Sequence, residues 1–153
     1  MEKPETIKTI VINANIIFTV SNFRKYLIKK LVSLRYRIVC VADLDDFSTN
    51  AETILKDLGA EFIRINVSRK GLNPFLEIIY MKNLYKLYKE IRPDFILSYT
   101  IKPNIFGTFV AGFMKIPIVN TVNGLGSSII KNDIVSKISL VLYRFALRYS
   151  KKV

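Results

Sequence analysis

Short apolar runs bounded by polar or chain-breaking residues alternate in this chain with longer stretches whose apolar residues recur every three or four positions. The first pattern belongs to a strand buried within a sheet, the second to an amphipathic helix. The clearest instance is Asp94–Gly126. Asp94–Tyr99 follows the Arg92-Pro93 breaker and reads as a strand buried on both faces. Lys102-Pro103-Asn104 opens a helix, with proline near the first helical position, where its missing N–H costs nothing. Ile116–Val122 is the next buried strand, and Asn123-Gly124-Leu125-Gly126 closes it with residues that tolerate positive φ. Such a βαβ unit is right-handed and sets both loops on the carboxyl edge of a parallel sheet. That edge is where open α/β sheets bind ligands.

The same patterns extend over the rest of the chain. Thr6–Asn13 predicts the first strand, Asn13-Ala14-Asn15 and Phe18–Ser21 the loop after it. A helix follows over Asn22–Leu34, with Phe23, Tyr26, Leu27, Leu31 and Leu34 at the spacing of one apolar face. Tyr36–Ala42 is the second strand, ending at Asp43-Leu44-Asp45-Asp46. Ser48-Thr49-Asn50 supplies capping chemistry for a helix over Ala51–Leu58, which Gly59 stops. Glu61–Val67 is the third strand, Ser68–Asn73 a basic loop and Pro74–Ile91 a long helix. A last amphipathic helix covers Asp133–Tyr149, and Lys151-Lys152-Val153 reads as the start of a further strand in a longer protein. The expected fold is α/β: a three-layer, Rossmann-like parallel sheet in the order 3-2-1-4-5, helices on both faces, with a sixth strand cut short. Residues 1–153 then form a single domain.

Composition narrows the chemistry. Histidine is absent, which removes the commonest general base and the commonest metal ligand. Cys40, the one cysteine, sits in the apolar run Ile38–Val41 and reads as a core residue; the lack of any disulfide within the chain is compatible with a reducing cytoplasm. Ile10–Val20 is interrupted by Asn13 and Asn15 and has no cleavage site, so it is a strand entering a loop and not a signal peptide. The loop after the first strand holds no glycine, against the G-x-G-x-x-G that a dinucleotide needs, and no P-loop occurs. Asp43 at the end of strand two could mimic a ribose-binding acid, but a loop cap is the better reading.

Lysine and arginine number 24 against 12 acidic residues, a net charge of +12. The basic residues concentrate in helical stretches that also carry Tyr80, Tyr85, Tyr88, Tyr143, Phe145 and Tyr149. A solvated basic face accounts for much of this, and aromatics at helical spacing are more often core than ligand stackers. No helix-turn-helix, RRM or OB signature supports nucleic acid. Basic amphipathic helices bearing aromatics suit an anionic membrane surface better.

Five strings in register carry a family resemblance: Ser21–Arg24, Ser68–Pro74, Arg92-Pro93-Asp94, Ser98–Asn104 and Thr121–Gly126. Together they resemble family 4 glycosyltransferases, above all those that build bacterial capsule, lipopolysaccharide and other lipid-linked glycans. The resemblance implies a GT-B enzyme of two Rossmann-like domains, with this chain the amino-terminal, acceptor-side one. The carboxy-terminal domain, with its Glu-x7-Glu motif and most of the donor site, would lie beyond Val153. It implies a retaining, hexosyltransferase-type transfer from a nucleotide-sugar donor to a polyprenyl-diphosphate-linked saccharide. No metal or other cofactor is implied. The place of work is the cytoplasm, peripheral on the inner face of the cytoplasmic membrane.

Individual positions follow from the same resemblance. Asn123 stands where many relatives place a histidine that contacts the transferred sugar; an amide can hydrogen-bond a hydroxyl but cannot act as a base. Gly124 and Gly126 would admit the donor diphosphate, although a plain turn explains them equally. Lys102, at the mouth of the helix that Pro103 opens, is a phosphate ligand or else a solvent-exposed lysine. Arg24 and Arg69 are candidates for the acceptor's diphosphate, with ordinary surface arginines as the alternative. Asn15 and Thr100, at the carboxyl ends of strands one and four, complete the substrate-binding set. A stand-alone binding or membrane-docking module on the same fold is the competing functional class.

Overall fold

The computed structural model describes residues 7–46, 48–68, 73–122 and 134–150. Five parallel strands form one sheet in the order β3-β2-β1-β4-β5: β1 Thr9–Ile16, β2 Arg37–Asp43, β3 Glu61–Arg64, β4 Phe95–Tyr99 and β5 Ile118–Thr121. This is the α/β architecture and strand order that the sequence predicts. Val11, Val39, Ile96 and Ile118 face one helical layer, made of α4 (Pro74–Ile91), α5 (Thr108–Phe113) and α6 (Ile134–Leu147). Ile10, Ile12, Ile38 and Cys40 face the other, made of α1 (Ile17–Phe23), α2 (Lys25–Ser33) and α3 (Ala51–Asp57). With both faces covered, the strands can be apolar throughout, and each fully buried Ile or Val contributes about 1.5–3 kcal/mol. The three residues that would begin a sixth strand lie outside the described residues.

Local chemistry sets the boundaries. Asn73 caps α4, its side chain accepting from the Phe75 N–H at 3.1 Å, and Pro74 takes the first turn. Arg92, at φ 51°, ends α4 in the left-handed conformation ahead of Pro93. Asp43 does cap its loop: its carboxylate accepts from the backbone N–H of Leu44 at 2.8 Å and of Val67 at 3.2 Å.

Several expectations need correction. Asn13-Ala14-Asn15 is not a loop, because β1 runs on to Ile16. Helix α3 starts after Asn50 with no side-chain cap. Phe18–Ser21 is not a loop but lies within α1, which buries Ile17, Val20 and Ser21. Its cap was invisible locally, because the first residue before it is Ile16 and the carboxylate that accepts from the Phe18 N–H, at 3.0 Å, is Asp45. Arg24 then breaks the run into α1 and α2, and α2 buries Ile28 with Leu27, Leu31 and Val32 against the sheet while Phe23, Tyr26 and Leu34 stay exposed. Strand pairing of β3 stops at Arg64, although Ile65 and Val67 still enter the core. Among the aromatics, Tyr80, Tyr88 and Tyr143 are core residues; Tyr85, Phe145 and Tyr149 are exposed.

Cys40 is wholly buried in β2, and burial pushes its thiol up to about 12. The thiolate that reacts with disulfide reagents is therefore all but absent at neutral pH. Ellman's reagent at pH 8 should titrate no thiol in the native protein and one per chain in denaturant; rapid native labelling would contradict the placement of β2.

Candidate active site at the carboxyl edge

Three polar side chains interrupt the apolar strands at one level. Asn13 in β1 pairs in register with Ser98 in β4, and Ser98 with Asn120 in β5. All three are buried, on the face covered by α4 and α5. A buried amide or hydroxyl without a partner costs of the order of 1–3 kcal/mol, so this row dictates what packs over it. Asn13 Nδ2 donates to the Tyr88 hydroxyl at 3.0 Å. Asn120 Nδ2 donates to Thr108 Oγ1 at 2.8 Å, and Thr108 donates in turn to the Asn104 carbonyl. Asn104 Nδ2 donates to the Tyr143 hydroxyl at 2.7 Å and to the Thr121 carbonyl at 3.0 Å, tying α6 and the end of β5 together.

The helix after β4 adapts to this row. Pro103–Gly107 forms a π-turn ahead of α5, a widened geometry that recurs at functional sites. Gly107 fits closely there: a Cβ would stand 3.0 Å from Asn13 Nδ2 and press on that side chain. Asn13 Oδ1, Ser98 Oγ, Asn104 Oδ1 and the Tyr80 hydroxyl are buried and have no hydrogen-bond partner among the described residues. Burial above all, with Tyr88 and Glu77 nearby, raises the Tyr80 hydroxyl well above its usual pKa, so it remains a neutral donor.

Four of the expected site residues converge on this edge. The backbone N–H of Asn15 donates to Thr100 Oγ1 at 3.1 Å, joining the ends of β1 and β4. Thr100 itself has φ 71°, a left-handed conformation unusual for a β-branched residue, and its hydroxyl bonds the Tyr99 carbonyl. Such strain persists where surrounding contacts impose it, and it clusters at functional sites. Asn15 Oδ1 is buried without a hydrogen-bond partner among the described residues. The Arg24 guanidinium stacks over the Tyr99 ring, 4.1 Å from its centroid, and donates to the Phe23 carbonyl at 3.1 Å. The break between α1 and α2 therefore closes over the end of β4.

Lys102 corrects its expectation as a solvent-exposed lysine. It is 7% exposed, and its ammonium is bonded to the carboxylate of Glu77, itself 5% exposed, from the first turns of α4. A charge already matched in this way offers less to an incoming phosphate. Arg69, Asn123, Gly124 and Gly126 lie outside the described residues. Glu77, Asn104, Thr108 and Asn120 are functional candidates that only the structure picks out; their sign in the sequence is a polar residue at a position whose neighbours are apolar. Among the described residues, no group of three His, Cys, Asp or Glu side chains could hold a metal ion.

Comparison with known proteins adds to this geometry. A family model described as glycosyl transferase 4-like matches residues 9–153. N,N'-diacetylbacillosaminyl-diphospho-undecaprenol alpha-1,3-N-acetylgalactosaminyltransferase of Campylobacter jejuni is 31% identical over 137 residues, which cover 86% of this chain and 35% of that protein. Among solved structures, a glycosyltransferase of Rickettsia africae superposes with a TM-score of 0.61 at 16% identity, over 86% of this chain and 35% of that one. UDP-GlcNAc 2-epimerase of Neisseria meningitidis also reaches 0.61, at 11% identity, over 92% and 38%. These likenesses show a shared fold. The chain spans about a third of the length of the curated relative.

The Lys102–Glu77 pair gives a stability test. Glu77→Gln or Lys102→Met alone leaves one buried charge unmatched and should cost about 3–5 kcal/mol in urea unfolding, whereas the double variant should recover much of that loss. Additive losses would show that the two side chains do not pair.

Proposed function

The chain belongs to the glycosyl transferase 4-like family, and we propose that it is the amino-terminal, acceptor-side half of a GT-B glycosyltransferase. The reaction is the transfer of a sugar, of hexosyl type, from a nucleotide-sugar donor to a polyprenyl-diphosphate-linked saccharide, with retention at the anomeric carbon. The observation that carries this reading is the match along residues 9–153, joined to a Campylobacter relative named for a diphospho-undecaprenol-linked acceptor. Capsule, lipopolysaccharide or related glycan assembly is the setting, on the inner face of the cytoplasmic membrane. A stand-alone binding module remains the competing class, and an assay of transfer separates the two.

In this reading the carboxyl edge is the acceptor's wall of a cleft whose other wall, with most of the donor site, belongs to a second domain. Arg24 is the residue for the acceptor diphosphate. Stacking on Tyr99 uses the flat face of the guanidinium, and the in-plane N–H groups are the part that grips a phosphate through parallel bonds. Asn15 and Thr100 meet the acceptor saccharide with amide and hydroxyl groups. Lys102, paired with Glu77, fixes the π-turn and acts as a positioning residue. Arg69 joins Arg24 at the diphosphate, while Asn123 contacts the transferred sugar and Gly124 and Gly126 let the backbone approach the donor. With asparagine at position 123, this half brings no imidazole to the transferred sugar, and proton removal falls to the donor phosphate.

The test uses the full-length protein with nucleotide-sugar and a detergent-dispersed polyprenyl-diphosphate saccharide. Transfer should survive chelation of divalent metals and preserve the donor's anomeric configuration in the product. Arg24→Ala should raise the acceptor's KM about tenfold, a loss of ~1.4 kcal/mol in binding, with kcat little changed. Inversion at the anomeric carbon, or metal dependence, would overturn the mechanism; an unchanged KM would remove Arg24 from the acceptor site.

A further inference from the structure

The polar row of the sheet is only partly answered by what packs over it. Asn13 of β1 and Ser98 of β4 are register partners in adjacent strands. Each lies two residues beyond a strand residue that faces α4, Val11 and Ile96, so the two side chains leave the sheet side by side on that face. Both are wholly buried. Tyr80 meets them from α4, itself buried, with its ring edge-on to Phe106 of the π-turn and the centroids 6.4 Å apart. Tyr88, two turns further along α4, takes one polar atom of the Asn13 amide at 3.0 Å. Asn13 Oδ1, the Ser98 hydroxyl and the Tyr80 hydroxyl enter no hydrogen bond among the described residues. Turning the amide over changes nothing, since it has two polar atoms and Tyr88 satisfies one side only.

The three groups lie close to one another. The Tyr80 hydroxyl is near enough to Asn13 and Tyr88 for both to act on its ionisation, yet it bonds neither. Gly107 roofs the same place: a Cβ on it would stand 3.0 Å from Asn13 Nδ2 and 3.6 Å from the Tyr88 hydroxyl. Neighbouring polar groups that do not meet directly are the situation a bridging water resolves. Two hydroxyls, which donate or accept, and one amide oxygen, which accepts, match the roughly three bonds that a buried water makes. Without such a partner each group would carry the full desolvation penalty of a buried polar atom. A cation fits less well, because all three groups are neutral. The carboxylate that acts on Tyr80, Glu77 one turn earlier, is already bonded to the Lys102 ammonium.

We infer that Asn13, Ser98 and Tyr80 form a binding site for one internal water molecule, which joins β1, β4 and α4 beside the π-turn. The water donates to Asn13 Oδ1 and to Ser98 Oγ and accepts from the Tyr80 hydroxyl. The site lies under the carboxyl edge and uses none of the residues assigned to acceptor or donor, so it stands whether or not the chain transfers a sugar. It fixes the seat of α4 on β1 and β4, and with it Glu77, which meets Lys102 at the edge.

The sign of two single-oxygen deletions tests the site. Tyr80→Phe and Ser98→Ala each remove a hydroxyl and leave the ring or the Cβ in place. An unmatched buried hydroxyl destabilises, so its removal slows local opening; a hydroxyl that holds a water stabilises, so its removal speeds opening. In the full-length protein, amide hydrogen exchange of peptides from β1, β4 and α4 should quicken about fivefold in each variant. The double variant should fall short of the product of the two, because both act on one water. Tyr85→Phe, at an exposed position of α4, should exchange as the parent does. A crystal structure of the full-length protein should show one water within bonding distance of all three groups, and none there in the double variant. Unchanged or slower exchange in the single variants overturns the site, as does a double variant whose effect is the full product. A structure in which the Tyr80 hydroxyl bonds Asn13 directly, or in which a cation takes the water's place, overturns it equally.

Discussion

Polar groups carried into the interior by the ends of β1, β4 and β5 have to be matched there, and much of the local structure answers that demand. Asn13 brings Tyr88 of α4 into line, Asn120 fixes Thr108 at the start of α5, and Asn104 reaches Tyr143 of α6. Three helices that would otherwise be free to slide over an apolar sheet are thereby held in register. An apolar row would pack as well but would specify less, since hydrophobic contact is non-directional and hydrogen bonds are not. The polar row sits at the edge where ligands bind in this class of sheet, and not at the amino edge. Its position makes it the floor of the site as well as a lock on the core.

How far this was legible in the sequence depends on the distance over which each choice is made. The strands of the central unit follow from apolar runs beside Pro93 and Pro103, and the helix at Pro74 follows from a proline with a capping asparagine just before it. These are local signals, and they survived. Helix α1 has no local signal at its start, because Asp45 from the next loop stands in for the missing cap. The apolar face of α2 differs from the expected one for a related reason: Phe23 and Tyr26 keep helical spacing, but the break at Arg24 turns them outward. Lys102 is the sharpest instance within the site. Its place beside a proline reads as an anion ligand until Glu77, 25 residues earlier, is seen to meet it.

The fold by itself does not choose an activity. A glycosyltransferase and a UDP-GlcNAc 2-epimerase superpose on this chain equally well, so the fold is common to both. The family assignment rests instead on the sequence, where the glycosyl transferase 4-like model matches residues 9–153.

The Phe75–Ile79 turn shows how site and surface become linked without a dedicated device. A helical turn has an inner and an outer side, and α4 starts where β3 has just delivered the chain to the carboxyl edge. Its inner residue therefore falls beside the helix that follows β4, which is why Glu77 can meet Lys102. Its outer residues fall on the rim of the same edge. The same turn therefore meets the buried pair on one side and solvent on the other.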